Sequence, residues 1–238
     1  MAEPIIKELS VFFPAYNEEK NIKKVVLDAK RVLEKIAEKW EIVIVDDGSK
    51  DETGKIADSI SKKFKPEIRV IHNKPNKGYG GALKAGYEAS KYEWIAFADI
   101  DRQFNFSEIT KFIEKQKESN ADLVLGIRMH RADSFIRKLL TLVWAKILPR
   151  VLLGLKVTDY SCGFKMIKKN VFTAVQPLVG EEKVTQIEML TKAQRMGFKF
   201  AEVGVHHYPR KFGRQTGTDL KVVLRSIRDL FKLWWQLK

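Results

Sequence analysis

The chain has 238 residues, 45% hydrophobic and 31% charged, a globular composition long enough for a sizeable core. Its 44 basic and 30 acidic residues leave a formal charge of +14, which points to an anionic partner: phosphorylated substrate, anionic lipid or nucleic acid. The single cysteine, Cys162, excludes an intramolecular disulfide framework and cysteine-based zinc sites, and no run of about 18 uncharged apolar residues is present to span a bilayer.

Residues 1–4 open without the basic and apolar regions of a secretory signal, so a reducing, cytoplasmic setting is expected. Strand-like apolar runs then fall at Leu9–Phe13, Glu41–Asp46, Ile68–His72, Trp94–Asp99 and Leu123–Ile127. Helical periodicity occupies 18–37, 51–63, 79–90 and 106–118 between them. This alternation predicts an α/β protein with a Rossmann-like, mostly parallel sheet flanked by helices on both faces. Ligands of such sheets bind beyond the carboxyl ends of the strands. Three polar runs sit there: Pro14-Ala15-Tyr16-Asn17-Glu18, Asp46-Asp47-Gly48-Ser49 and Asp99-Ile100-Asp101-Arg102-Gln103.

Ser49 with Glu52 reads as a helix start with a hydroxyl cap and a capping box. Asn76–Leu83 is a glycine-rich loop leading into a helix. It suits either close approach of backbone to phosphate or a tight turn, and it matches neither the dinucleotide nor the P-loop spacing. Asp99 and Asp101 come one residue apart at a strand end. Their repulsion requires a compensating cation or polar partners, and a hard divalent ion, Mg²⁺ or Mn²⁺, bridging to substrate phosphates is the simplest.

The second half changes character. Residues 135–155 mix apolar groups (Ile136, Leu139, Leu140, Val143, Ile147) with Arg137, Lys138, Lys146 and Arg150, and Pro149 is expected to divide them. Near the C-terminus Lys221, Arg225, Arg228 and Lys232 form a basic stripe beside Leu224, Ile227, Phe231 and Trp234. That pattern fits an amphipathic helix on an anionic membrane surface, or one packed on the domain with its basic face solvated. Neither a recognition-helix motif nor aromatics interleaved with cations on a strand is visible, so nucleic acid is not an expected partner.

Taken together, eight runs resemble family 2 glycosyltransferases of the GT-A fold, in the dolichol-phosphate (polyprenyl-phosphate) hexosyltransferase branch. They are P-A-Y-N-E at 14–18, V-D-D-G-S at 45–49, N-K-G-Y-G-G-A-L at 76–83, D-I-D-R-Q at 99–103, G-I-R at 126–128, V-T-D-Y-S-C-G-F-K at 157–165, Q-I-E-M-L at 186–190 and H-Y-P-R-K-F-G at 207–213. The resemblance spans roughly 8–217. It implies a glycosyltransferase domain over 1–217, including an amphipathic interface segment at 135–155, and a basic amphipathic helix over 218–238.

What the resemblance implies for the site follows residue by residue. Pro14, Ala15, Tyr16, Glu18 and Asp47 would bind the nucleoside. Asp99, Asp101 and Gln103 would hold the metal and diphosphate. Arg128 and Arg210, assisted by Lys211 and Arg214, would bind phosphate oxygens. Asp159 and Glu188 would orient acceptor or sugar, or be structural. The implied reaction is inverting, metal-dependent transfer of a hexose from GDP-mannose or UDP-glucose to a polyprenyl or dolichyl phosphate, by an enzyme peripheral to the cytoplasmic face of a membrane. Arg102 stands where the branch carries an apolar residue, and Gln215-Thr216 where it tends to carry Ser-Lys. Both leave mannose or glucose, and GDP or UDP, open. Two other readings use the same donor site: transfer to a glycan or soluble acceptor, and a non-catalytic nucleotide-sugar-binding membrane scaffold. His206 is expected to make an ordinary strand-end hydrogen bond rather than reach a metal.

Overall fold

The computed structural model describes residues 5–129, 148–212 and 220–237, the side chains of 148 and 220–227 excepted. Seven strands form one sheet: β1 (Ile6–Ala15), β2 (Ala37–Asp46), β3 (Ile68–His72), β4 (Trp94–Ala98), β5 (Leu123–Met129), β6 (Phe164–Lys168) and β7 (Phe200–His206). Their spatial order is β3-β2-β1-β4-β6-β5-β7. Every pairing is parallel except those of β6, which runs antiparallel to both β4 and β5. The expected α/β architecture is therefore present, and the sequence reading left out β6 and β7.

Side chains alternate between the two sheet faces, and each face is covered. Leu9, Val11, Phe13, Ile42 and Ile44 pack toward helices α1 (Ile22–Ile36), α2 (Thr53–Lys63) and α4 (Ile109–Ser119). Phe12, Val43, Val45, Ile95 and Phe97 pack toward α3 (Gly78–Ala89), α6 (Lys169–Ala174), α7 (Val184–Arg195) and α8 (Leu220–Gln236). Two-sided burial is why these strands read as unbroken apolar runs. Helix α1 shows the matching helical stripe, with Ile22, Val26, Ala29, Leu33 and Ile36 buried at spacings of three and four.

Local details differ from the sequence reading at the start of α2. Helix α2 starts at Thr53, and its first turn is tied by the Asp51 carboxylate, which accepts from the Thr53 amide at 3.0 Å. The Ser49 hydroxyl instead accepts from the Asn17 amide at 3.0 Å, so it joins two loops and does not cap the helix. In the glycine-rich loop Gly78 takes the positive φ, +72°, of the expected tight turn, while a β-carbon on Gly80 would stand 2.2 Å from the Thr185 hydroxyl of α7. Pro149 falls in helix α5 (Leu148–Leu153), and the residues it is expected to divide from that helix lie outside the described ones. The rest of the proposed interface segment, 135–147, and the junction at 217–218 lie outside the described residues.

Helix α8 buries Leu230 and Leu233 completely or nearly so, while Phe231 and Trp235 stay 46% and 72% exposed. It is thus packed on the domain through one face. Among the described residues no helix is long and apolar enough to cross a membrane.

Candidate active site

The carboxyl ends of β1, β2 and β4 lie side by side, as the parallel register requires. The first two loops are stitched together by backbone. Asp47 donates its amide to the Ala15 carbonyl at 2.9 Å, Glu18 donates to the Thr53 hydroxyl at 2.7 Å, and Lys50 donates to the Asn17 side chain at 2.8 Å. Pro14 and Ala15 are buried strand residues, whereas Tyr16 is 42% exposed at the rim. Asp46 performs the turn role, accepting from the Ser49 amide at 3.1 Å and meeting His72 Nδ1 at 2.8 Å. Asp47 is buried too, with Oδ1 accepting from the Asn73 side chain at 2.8 Å and the Lys77 amide at 2.9 Å. That bond fixes the start of α3 against the second loop.

The third loop is joined to the first by one side chain. Arg210 pairs with Glu18 and lies 3.6 Å from the Asp101 carboxylate, while its Nε donates to the Phe212 carbonyl at 2.7 Å. Gln103 locks the 207–211 segment beneath it: the Tyr208 amide donates to the Gln103 carbonyl at 2.9 Å, and Gln103 Nε2 donates to the Tyr208 carbonyl at 3.0 Å. Asp101 accepts from the Gln103 amide at 3.0 Å. Arg102 takes a left-handed backbone, φ +65°, and sets its guanidinium over the Phe212 ring. Lys211 is exposed nearby, and Arg214 lies outside the described residues.

Asp99 sits at the foot of this cleft, where burial and the neighbouring Asp101 charge push its carboxyl up to about 7. Burial also raises Asp101, although the Gln103 amide and Arg210 hold it back. Burial likewise raises Glu18 despite Asn21 and Arg210. Two desolvated carboxylates that resist simultaneous ionisation make a donor set short of positive charge. Their oxygens suit a hard divalent cation, Mg²⁺ or Mn²⁺. Among the described residues no group of three or more His, Cys, Asp and Glu side chains lies together to hold a metal. Asp99 and Asp101 are the pair that could offer oxygens to such an ion, with diphosphate oxygens as natural further ligands. Gln103, expected beside them, donates through Nε2 to the Tyr208 carbonyl, which orients its side-chain amide.

The antiparallel strand β6, which the sequence reading left out, and Gly163 just before it lie beside Asp99. Asp99 donates its amide to the Gly163 carbonyl at 2.9 Å, and Lys165 lies wholly buried one step along, opposite Phe97. Burial depresses the Lys165 ammonium to about 8. A lysine inside the apolar run Phe164-Lys165-Met166-Ile167 was the available signal. Tyr79 of α3 donates to Asp99 Oδ1 at 3.0 Å and accepts from Gln186 at 3.1 Å.

Arg128 and Asp159 form a fork-to-fork pair, with both N–H···O distances 2.8 Å, and Arg128 also donates to the Ser161 hydroxyl at 2.6 Å. Both are mostly buried, and the pair holds the guanidinium firmly charged. Glu188 is fully buried; it pairs with Lys192 at 2.7 Å and accepts from the Gly180 amide at 2.6 Å, so it anchors the loop before α7. His206 makes the expected ordinary bond, its Nδ1 lying 2.8 Å from Glu108. A cavity of about 450 Å³ opens between α1 and the 208–211 segment; it shares Arg210 with the cleft but neither Asp99 nor Asp101.

Comparison with known proteins bears on the family and the fold. The chain is 30% identical over 97% of its length to Glycosyltransferase AglD of Haloferax volcanii, of which it spans 37%. It is 31% identical over 83% of its length to dolichyl-phosphate beta-glucosyltransferase of Dictyostelium discoideum, of which it spans 65%. An undecaprenyl-phosphate 4-deoxy-4-formamido-L-arabinose transferase of Pectobacterium atrosepticum is 30% identical over 92% of the chain, again with 65% of the relative covered. The fold is shared with glucosyl-3-phosphoglycerate synthase of Mycobacterium tuberculosis, solved with Mn²⁺, UDP and phosphoglyceric acid. The TM-score there is 0.73 at 19% identity, covering 96% of this chain and 78% of the other. Residues 10–175, which include the three strand-end loops and strand β6 beside Asp99, match glycosyl transferase family 2, and the chain belongs to that family.

Proposed function

We propose that the chain transfers a hexose from a nucleotide sugar to a polyprenyl monophosphate at a membrane surface, with inversion at the anomeric carbon. The observation that carries this reading is the desolvated pair Asp99 and Asp101 with Arg210 set 3.6 Å from Asp101, a grouping that suits a cation and a diphosphate. The lipid-phosphate acceptor is supported by the names of two relatives, a dolichyl-phosphate glucosyltransferase and an undecaprenyl-phosphate arabinose transferase. The first of these names favours glucose over mannose as the donor sugar to test, and the neighbour solved with UDP suggests UDP as carrier.

Mg²⁺ or Mn²⁺ held by Asp99 and Asp101 would neutralise charge on the departing nucleoside diphosphate. Arg210, fixed by Glu18 and the Phe212 carbonyl, adds a planar cation on the same side. Tyr16, exposed at the rim, would stack on the base, and the loop clamped by Asp47 would bound the nucleoside end. Arg128, kept charged and oriented by Asp159, is suited to a phosphate of the acceptor. A phosphate acceptor is already anionic at neutral pH, so the reaction needs no strong general base. Phe231 and Trp235, exposed on α8 beside exposed Lys232, would attach the enzyme peripherally to the cytoplasmic leaflet.

The test supplies the chain with radiolabelled UDP-glucose or GDP-mannose, polyprenyl phosphate and Mn²⁺ or Mg²⁺. Label is expected in an organic-extractable, acid-labile lipid product. Label appearing only in a glycan or soluble product, or no transfer from any common donor by folded protein, would overturn the acceptor assignment.

A further inference from the structure

We propose that Tyr79, Gln186 and Lys165 form a one-way hydrogen-bond relay that positions Asp99 as a cation ligand. The proposal rests on the reading of Asp99 as a metal ligand and goes beyond it by assigning the residues that aim its carboxylate.

The relay's direction follows from donor chemistry. The Lys165 ammonium has donors only, and it reaches Gln186 Oε1 and the Cys162 carbonyl. The oxygen of the Gln186 amide must therefore face the lysine, which turns Nε2 toward Tyr79, 3.1 Å away. The Tyr79 oxygen accepts that bond, so its single proton is left to donate to Asp99 Oδ1 at 3.0 Å. Each link fixes the next, with a buried cation at one end and a carboxylate at the other. Bonds aligned in this sense strengthen one another.

Packing closes the other side. A β-carbon on Gly163 would stand 1.9 Å from Asp99 Oδ2, so that oxygen lies against bare backbone. Asp99 thus has Oδ1 tied to the relay and Oδ2 pressed against β6, with its amide held by the Gly163 carbonyl. The three relay residues come from three elements, α3, β6 and α7. Groups that hold a metal-binding carboxylate in this way typically control metal affinity about 10–100-fold.

The direction of the relay supplies its own test. Tyr79→Phe removes the donor to Asp99. Gln186→Glu keeps the bond to Lys165 but replaces the Nε2 donor with an acceptor, which draws the Tyr79 proton away from Asp99. Mn²⁺ binding to the 238-residue chain is read by loss of the free-ion EPR signal, with and without UDP, alongside the melting temperature. Both variants are expected to weaken Mn²⁺ binding by about tenfold or more while melting within a few degrees of the parent. Parent-like Mn²⁺ affinity in Tyr79→Phe would overturn the relay alone, as would a weakened Tyr79→Phe beside an unaffected Gln186→Glu. Failure of the unmodified chain to bind Mn²⁺ even with UDP would overturn the metal reading and the relay with it. Lipid transfer enters none of these readouts, so the acceptor assignment stands or falls separately.

Discussion

Gly163 backs onto Asp99 so closely that a β-carbon on the glycine would stand 2.3 Å from the aspartate Cγ. Gly163→Ala must therefore move the carboxylate. Overpacking of this kind costs about 1–3 kcal/mol of stability, and a shift of about 1 Å at a reacting centre costs about a hundredfold in rate. Sugar transfer is expected to fall at least that far in a variant that still melts cooperatively. Transfer at parental rates would show that Asp99 need not hold its position.

Asp101→Ala separates an enzyme from a scaffold. The change removes one of two like charges in a desolvated cleft, so stability is expected to stay level or rise. Turnover is expected to vanish. A variant that retains metal-stimulated transfer would remove Asp101 from the cation site.

Arg128 and Asp159 are expected to behave as a unit. Losing Asp159 leaves the mostly buried Arg128 guanidinium without its ion pair, at a cost of about 3–5 kcal/mol. The double alanine variant should cost clearly less than the two single changes added together, a coupling of more than about 1 kcal/mol. It should nonetheless stay inactive, because no guanidinium remains for the acceptor phosphate. Additive stability losses in chemical denaturation would mean that the pair is not energetically coupled.

His72 links folding to pH. Burial opposes its charge, but bonds to Asp46 and Asp58 prevail and hold its pKa above the ordinary value, while Asp46 is lowered, its hydrogen bonds outweighing burial. A raised histidine contributes stability that is complete below its unfolded pKa of about 6.5 and is lost as pH rises through the folded value. Asp46 contributes above its unfolded value of about 3.9 and loses that as pH falls through the lowered one. The pair is thus most stabilising between about pH 4 and 6.5. Because His72 is a third exposed, the contribution stays below about 1 kcal/mol. The stability advantage of the parent over His72→Gln should shrink from pH 6 to pH 9; a constant difference in urea unfolding would exclude the link.

Attachment to membrane is expected to depend on the aromatic side chains that α8 leaves outside. Burying one large apolar side chain is worth about 1.5–3 kcal/mol, so Phe231→Ala with Trp235→Ala should lower partition onto anionic vesicles at least about tenfold. Equal sedimentation of parent and variant with phosphatidylglycerol vesicles would locate the contact elsewhere.

The sequence by itself determined the α/β class, the first five strands and the three polar loops at their ends. These rest on local signals: apolar runs buried on both faces, helical spacing between them, and charged residues where a strand must stop. Asp99 and Asp101 were legible for the same reason, since adjacent carboxylates after Trp94–Ala98 have nowhere to go but the sheet's edge. Tertiary structure alone decided what surrounds them. Strand β6 enters antiparallel between β4 and β5, and nothing local in Phe164–Lys168 specifies that neighbour. That insertion places Gly163 and Lys165 against Asp99, and it lets Gln186, 107 residues from Tyr79, complete the hydrogen-bond chain. Glu188, expected to orient acceptor or sugar or to be structural, is buried against Lys192. A residue's type and spacing show what chemistry it can offer. Which partner meets it depends on contacts between distant segments, and those form only when the whole sheet is assembled.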